Sequence, residues 1–191
     1  MQSTIAPFFR GRGQLVRPFT RSDFAMVKLR TRPEYLREEL LALVGKISLQ
    51  WAYIDFLVGE LLGGLKGVKG QARAQQIHPL DTLHKSEKAR KLAKSSFTDH
   101  GERQKILGIL KQVDELALDR NLVIHGMVIY AKPDNSTDPQ IMIFRGKYRG
   151  TLKPFSKSLL EPLFDQLSEL AAELMDVCLR HGFSEFIKRA K

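Results

Sequence analysis

A chain of 191 residues with 43% hydrophobic and 27% charged residues has room for one domain with a core, and it is not disordered in composition. Its single cysteine excludes an internal disulfide framework and fits a reducing compartment such as the cytoplasm. We expect no membrane span and no secretory leader. The net charge of +10 indicates a polyanionic partner, with nucleic acid the first choice, although a merely soluble basic protein has the same balance.

Residues 1–30 are rich in arginine, contain several phenylalanines and show no helical or strand period, which predicts a basic flexible arm. The remaining residues, 31–191, are predicted to form a single helical domain. The absence of acidic residues before Asp23 also matches an organelle transit peptide. A translation start at Met26 would instead remove most of the arm.

The first long helix is predicted to begin at Thr31, which is followed by Pro33 and Glu34 in the order of a capping box. From there, apolar residues repeat at steps of four and three over about 30 residues, or roughly 45 Å of helix. They are Leu36, Leu40, Val44, Ile47, Trp51, Ile54, Val58 and Leu61. We expect this helix to be the spine of the fold.

Gly63–Gly70 ends that helix as a basic glycine-rich connection, and it lacks the residue order of a phosphate-binding loop. A short basic helix is predicted over 79–94. Four lysines of this helix are candidates for phosphate contact, and a solvated face is the competing interpretation. They are Lys85, Lys88, Lys91 and Lys94. No set of histidines, cysteine and acids has the spacing of a metal site, so we predict no metal and no cofactor.

A third helix is predicted to open at the capping box Asp99–Glu102 and to stop at Gly126. Its apolar stripe is interrupted by Arg120 near the end. A neighbouring stripe places Asn121 and His125 one turn apart. The acids considered as partners of Arg120 are Asp55, Glu60, Asp114 and Asp119.

After this helix, two apolar runs flank a polar turn and predict a β-hairpin over about 127–145. The basic residues Arg145, Lys147 and Arg149 follow it and are candidates for holding a strand of RNA. A last amphipathic helix is predicted to begin with the capping box Ser158–Glu161. The predicted fold is therefore mainly α, an up-and-down bundle of four helices with the hairpin inserted before the last.

Near the end of the predicted helix, four residues separate Arg120 from His125, and the first of these four is the polar Asn121. This pattern resembles the signature of the HEPN family (higher-eukaryote and prokaryote nucleotide-binding domains). The resemblance implies a metal-independent endoribonuclease with Arg120, Asn121 and His125 at its centre. It also implies a homodimer in which two signatures meet, and a role as a toxin or defence effector with a possible antitoxin or regulatory partner. Some relatives carry a strand insertion directly after the motif helix.

One branch of this family has a tyrosine two residues after the histidine, which a partner nucleotidyltransferase modifies. Here Met127 occupies that position, so the partnered toxin mechanism is in doubt while RNA cleavage is not. The competing interpretation from the residues alone is a non-catalytic module that binds RNA or protein, in which Arg120 and His125 have structural roles.

Overall fold

The computed structural model describes residues 38–125, 127–129, 140–145 and 149–183, and this part of the chain is mainly helical. The five helices are α1 (Glu38–Lys66), α2 (Gly70–Gln76), α3 (Thr82–Ser96), α4 (His100–His125) and α5 (Lys157–Arg180). Three strands lie between α4 and α5 in the chain: β1 (Met127–Ile129), β2 (Gln140–Arg145) and β3 (Arg149–Pro154). The predicted arm, the Thr31 cap and the hairpin turn lie outside the described residues.

The chain divides into two compact units, each assembled from segments that are distant in sequence. Of the described residues, those up to Ser48 and those between Asp119 and Phe164 form the first unit. The described residues from Leu49 to Leu118 and from Asp165 onward form the second.

In the second unit, hydrogen bonds connect four helices into a ring. Lys85 of α3 donates to Asp55 of α1, and Ser86 of α3 donates to Asp114 of α4. The ring closes through α5, because Arg180 donates to Glu102 of α4 and the thiol of Cys178 lies 3.7 Å from the Leu57 carbonyl oxygen of α1. Fully buried apolar residues fill the interior, among them Ile54, Leu57, Leu61, Ile106, Leu110, Leu167 and Leu174.

The directions of the helices differ from the expected up-and-down order. Tyr53 of α1 contacts Met175 of α5, and Leu57, further along α1, contacts Cys178, further along α5. These two helices are therefore parallel. Glu102 of α4 contacts Arg180, whereas Lys105, further along α4, contacts Asp176, which is earlier in α5. The helices α4 and α5 are therefore antiparallel. Successive helices do not alternate in direction, because residues 67–81, which include α2, form a connection between α1 and α3 that is long enough to run back along α1.

Two glycines at the end of α1 are required for different reasons: Gly67 by its backbone conformation and Gly63 by close packing. Gly67 has φ +68° and the Gly67 and Val68 amides donate to the Gly64 and Gly63 carbonyls, which is a Schellman cap. A Cβ added to Gly63 would lie 2.3 Å from Nε of Arg73. The glycine-rich segment is therefore a helix end against which other residues pack, where the sequence had suggested only a flexible connection.

The helix α2 was missed by the sequence analysis, and it carries one partner of a buried ion pair. Arg73 lies 2.8 Å from Glu60 of α1, and both side chains are almost completely buried. The same guanidinium donates to the backbone carbonyls of Val68 and Phe183. This network holds α1, α2 and the residues that follow α5 together.

In the first unit, the strands form a three-stranded antiparallel sheet in the order β1–β2–β3. Met127 is opposite Met142 in the first pair, and Met142 is opposite Leu152 in the second. The two apolar runs predict two strands here, and β3 is an additional one. The buried apolar residues of this unit are Leu40, Leu43, Ile47, Val123, Phe155, Leu160 and Leu163.

The last helix begins earlier than its predicted capping box. The Leu159 and Leu160 amides donate to the carbonyl of Ser156, so Ser156 is at the cap position, while Glu161 pairs with Lys157 within the helix. Pro162 consequently lies inside α5, two residues further from the start than expected. Ser156 directly precedes the first helical residue, and its hydroxyl is hydrogen-bonded to that of Ser158 at 2.9 Å.

One described helix, α1, is long and apolar enough to cross a membrane by length and composition alone, against our expectation from the sequence. Only 33% of its most apolar window is buried inside the protein. Core helices of soluble proteins pass the same test, so this property does not decide where the protein is located.

Candidate functional site

The candidate site lies on the last turn and a half of α4. Asp99 caps the start of this helix by accepting from the Glu102 amide at 3.0 Å, as predicted, and the helix ends at His125. The Glu102 carboxylate does not complete the predicted capping box, because it accepts from Arg180 and His181 instead.

The buried face of α4 changes direction before the helix ends. Ile106, Leu110, Val113 and Ala117 are buried, as their spacing predicted. Beyond Ala117, the buried residues are Asp119 and Val123, while Arg120 and Ile124 are half-buried. Arg120 therefore lies at the edge of the core, where its stem can be covered while its guanidinium reaches the surface.

The three residues of the signature are brought together. Nη1 of Arg120 donates to Oδ1 of Asn121 at 2.9 Å. The same Nη1 lies 3.5 Å from Nε2 of His125. Asn121 and His125 are both exposed, so this polar cluster opens to solvent at the helix end.

Partial burial lowers the pKa of Arg120 from its ordinary value, because the charged form loses hydration. The group still remains a cation at any pH at which the protein folds, since arginine is not deprotonated in proteins. Its N–H groups can only donate, so a hydrogen bond from Nη1 to His125 requires that Nε2 of the imidazole carry no proton. That tautomer carries its proton on Nδ1, and the lone pair of Nε2 then faces Arg120.

Three of the four acids considered as partners of Arg120 are engaged by other cations within the second unit. Asp55 binds Lys85 at 2.7 Å, and Glu60 binds Arg73 at 2.8 Å. Asp114 accepts from Arg90 and from Ser86. The fourth, Asp119, is buried in the same unit as Arg120.

The basic residues of α3 separate into two groups. Lys85 is 1% exposed and binds Asp55, so its prediction as a phosphate-binding residue is wrong. Lys88, Lys91 and Lys94 are exposed, with Lys91 also paired to Glu87 one turn away. These three remain candidates for contact with an anionic partner.

The second predicted group of basic residues follows the strand β2. Arg145 and Arg149 are backbone partners at the end of the β2–β3 pair. Lys147 lies outside the described residues, and the side chains of Arg145 and Arg149 are not described either. Their role in RNA binding therefore stays a prediction.

No group of three or more histidine, cysteine, aspartate or glutamate side chains within the described ranges could hold a metal ion. The candidate site itself contains a guanidinium, an amide and an imidazole, of which only the imidazole is a common metal ligand. This donor set suits binding and proton transfer at a phosphate.

A second polar cluster, at the start of α4, was not found from the sequence. Glu102 accepts from Arg180 and from His181, each at 2.9 Å, and His181 also contacts the rings of Phe97 and Phe183. Arg180 and His181 hold the pKa of Glu102 below its usual value. No sequence pattern predicts this cluster, because its members come from chain segments about 80 residues apart.

Comparison of the chain with protein-family models, with curated proteins and with solved structures gives no match.

Proposed function

We propose that this protein is a metal-independent endoribonuclease of HEPN type. The observation that carries the proposal is the convergence of the signature on one atom, since Nη1 of Arg120 contacts both Asn121 and His125. These three residues come together at an exposed helix end, where a phosphodiester can reach them.

The cleavage chemistry assigns a role to each side chain. The 2′-hydroxyl of a ribose attacks the adjacent phosphorus, its proton passes to a base, and the bond to the 5′-oxygen breaks as that oxygen gains a proton. His125 can accept the first proton, because an imidazole titrates near neutral pH. Arg120 can stabilise the negatively charged phosphorane through its planar set of donors, and Asn121 can orient the phosphate or the imidazole. The products are a 2′,3′-cyclic phosphate and a 5′-hydroxyl.

One signature provides one histidine, whereas the reaction moves two protons. We propose that a second copy of the chain supplies the other imidazole, in a symmetric homodimer with the two α4 helices near the two-fold axis. The exposed side of α4 that carries Asn121 and His125 also carries Leu118, which is 65% exposed. An apolar residue at that position gives such a contact an uncharged centre.

The exposed lysines Lys88, Lys91 and Lys94 support RNA as the substrate, since they form a row of cations on one helix. We also interpret the β-sheet after α4 as the strand insertion that some HEPN proteins carry. A role in the cytoplasm as a toxin or defence effector, with a regulatory partner, is part of the same proposal. Met127 argues against modification of a tyrosine at that position.

The experiment is incubation of the purified protein with mixed RNA in EDTA, comparing wild type with His125→Ala. We expect wild type to cut RNA and to leave 2′,3′-cyclic phosphate ends. General acid–base catalysis contributes on the order of 10² to 10⁴ in rate, so His125→Ala should lose about that factor. Because His125 is exposed at a helix end, the variant should keep its circular dichroism spectrum and most of its RNA affinity. Equal activity of the two proteins, or no cleavage of any RNA by wild type, would contradict the proposal.

The second candidate is a non-catalytic RNA-binding module, which the lysine row on α3 favours by itself. In that case the contacts of Arg120 with Asn121 and His125 would only stabilise the end of α4. Binding of RNA that weakens with salt, without cleavage by wild type, would establish this function instead.

A further inference from the structure

The helices α3 and α4 are antiparallel neighbours within the second unit, and only residues 97–99 connect them. Ser86 of α3 donates to the Leu110 carbonyl of α4 at 3.2 Å and to Asp114 at 2.8 Å. Asp114 also accepts from Arg90, one turn after Ser86. Asp114 and Arg90 therefore mark the sides on which the two helices border each other.

Cations from both helices lie along this border and on the outer surface of α3. Counting back from Asp114 by three, four and four residues gives Lys111, Leu107 and Arg103, so these residues form one stripe of α4. Lys94 lies one turn after Arg90 on α3. We call the cations of this two-helix surface the basic face, which consists of Lys88, Arg90, Lys91, Lys94, Arg103 and Lys111.

The basic face has more cations than its carboxylates can compensate. Three carboxylates lie beside it, and each pairs with one cation: Glu87 with Lys91 at 2.7 Å, Asp114 with Arg90, and Glu115 with Lys111 at 3.7 Å. The other three cations, Lys88, Lys94 and Arg103, have no acid partner among the described residues. An excess of positive charge gathered on one surface is typical of a site for a polyanion.

The composition of the two helices indicates which polyanion fits the basic face. Neither α3 nor α4 contains a phenylalanine, tyrosine or tryptophan. Phe97, which lies between them, is half-buried and contacts His181. Proteins that bind single-stranded RNA stack its bases on such rings, at about 1–3 kcal/mol per base. The basic face can contact phosphates but gives unpaired bases no aromatic ring on which to stack.

A double helix suits a surface of this kind. Its bases are already stacked on each other, and proteins recognise duplex RNA mostly by its shape and by contacts to phosphates and 2′-hydroxyls. The hydrogen bonds between α3 and α4 fix the spacing of the cations, and a duplex fixes the spacing of its phosphates, so little freedom is lost on binding. We propose that the basic face binds the double-helical part of an RNA through its phosphates.

The choice of RNA rests on the proposed function, and the substrate class would then be structured RNA that contains a stem. A neutralised phosphate contributes about −0.9 to the slope of log affinity against log salt on a duplex and about −0.7 on a single strand. Relative to 1 M salt, three such contacts favour the duplex by about fourfold at 0.1 M salt. We therefore expect a duplex to bind at least fourfold tighter than its single strand.

The test is fluorescence anisotropy with an RNA duplex of about 16 base pairs and with one of its strands alone. The protein carries His125→Ala, so that the RNA stays intact. Adding Arg103→Gln should weaken duplex binding about eightfold at 0.1 M salt and make the salt slope shallower by about 0.9, and Lys94→Gln should do the same. Lys105→Gln is the matched control, because Lys105 is an exposed cation of α4 that pairs with Asp176 of α5. Circular dichroism will verify the fold of each variant.

Equal or tighter binding of the single strand would overturn this inference, as would equal losses in Arg103→Gln and Lys105→Gln. Tighter binding of a DNA duplex than of the RNA duplex would overturn the choice of RNA. The binding assay needs no cleavage, so the two proposals fail independently. A protein that prefers the duplex and cuts no RNA keeps this inference and loses the proposed ribonuclease, whereas cleavage without a preference for the duplex does the reverse.

Discussion

Replacing Lys85 and replacing its neighbours on α3 should have opposite consequences, although all four lysines look alike in the sequence. Lys85→Ala removes three methylene groups from a site that is 1% exposed, which costs about 2.4 kcal/mol at ~0.8 kcal/mol per methylene. The alanine variant no longer has to restrict a lysine side chain on folding, and this offsets up to about 1.5 kcal/mol of the loss. Asp55 loses its cation but is one-third exposed and can be hydrated, which adds about 1 kcal/mol. We expect a net loss of about 2 kcal/mol.

Urea unfolding of Lys85→Ala and Lys85→Met measures this loss and separates the contribution of the buried stem from that of the charge. Lys85→Met keeps the buried stem and removes only the charge, so it should cost less than about 1 kcal/mol. The triple replacement of Lys88, Lys91 and Lys94 by alanine should change stability by about 0.5 kcal/mol or less at each position, because these side chains are exposed.

RNA binding as a function of salt reports the other half of the comparison. On single strands each neutralised phosphate contributes about −0.7 to the slope of log affinity against log salt, so the triple variant should have a slope shallower by about 2. Lys85→Met should leave that slope unchanged. If Lys85→Met makes the slope shallower, as replacement of the three neighbouring lysines should, then Lys85 contacts RNA and the assignment of its ammonium to Asp55 is wrong.

Two further predictions concern stability. Arg73→Ala should lower the free energy of unfolding in urea by about 3–5 kcal/mol, because it leaves the buried Glu60 carboxylate without its cation. The double variant Arg73→Ala/Glu60→Gln should recover part of this stability. If it recovers none, the unpaired charge is not the cause of the loss. Arg180 and His181 lower the folded-state pKa of Glu102, so their stabilisation is present above the unfolded pKa near 4.5 and is lost as the pH falls through the folded value. The thermal midpoint of wild type should therefore fall more steeply below pH 5 than that of Glu102→Gln, and parallel curves would show that Glu102 contributes nothing to acid sensitivity.

The helices could be predicted from the sequence where one apolar period runs without interruption. Such a period places the same residues on one side whatever they pack against. Ile106, Leu110, Val113 and Ala117 of α4 are buried as predicted. In α1 the prediction is confirmed for Leu40, Ile47, Trp51, Ile54, Val58 and Leu61, whereas Val44 is half-buried. Asp99 at the start of α4 is equally local, because a cap needs only the amides of the next turn.

The polar partnerships could not be predicted, because each joins residues far apart in the chain. Lys85 was a candidate for phosphate contact, yet it is buried and donates to Asp55, 30 residues earlier in the chain. Glu60 was considered for Arg120, and it is bound by Arg73 on a helix that has only seven residues and no apolar period. A helix that short is stabilised by its tertiary contacts, which leave no pattern in its own sequence.

Arg120 shows how much of the candidate site was local. Residues 121 and 125 are one turn apart, so their proximity follows from helix geometry, but residue 120 points about 140° away from residue 125. Had Arg120 followed its apolar stripe, the guanidinium would lie in the core and away from the imidazole. The stripe bends instead toward Val123, and the arginine side chain is long enough to cross the helix surface. The contact between Arg120 and His125 therefore depends on where the core ends along α4, which is a property of the fold.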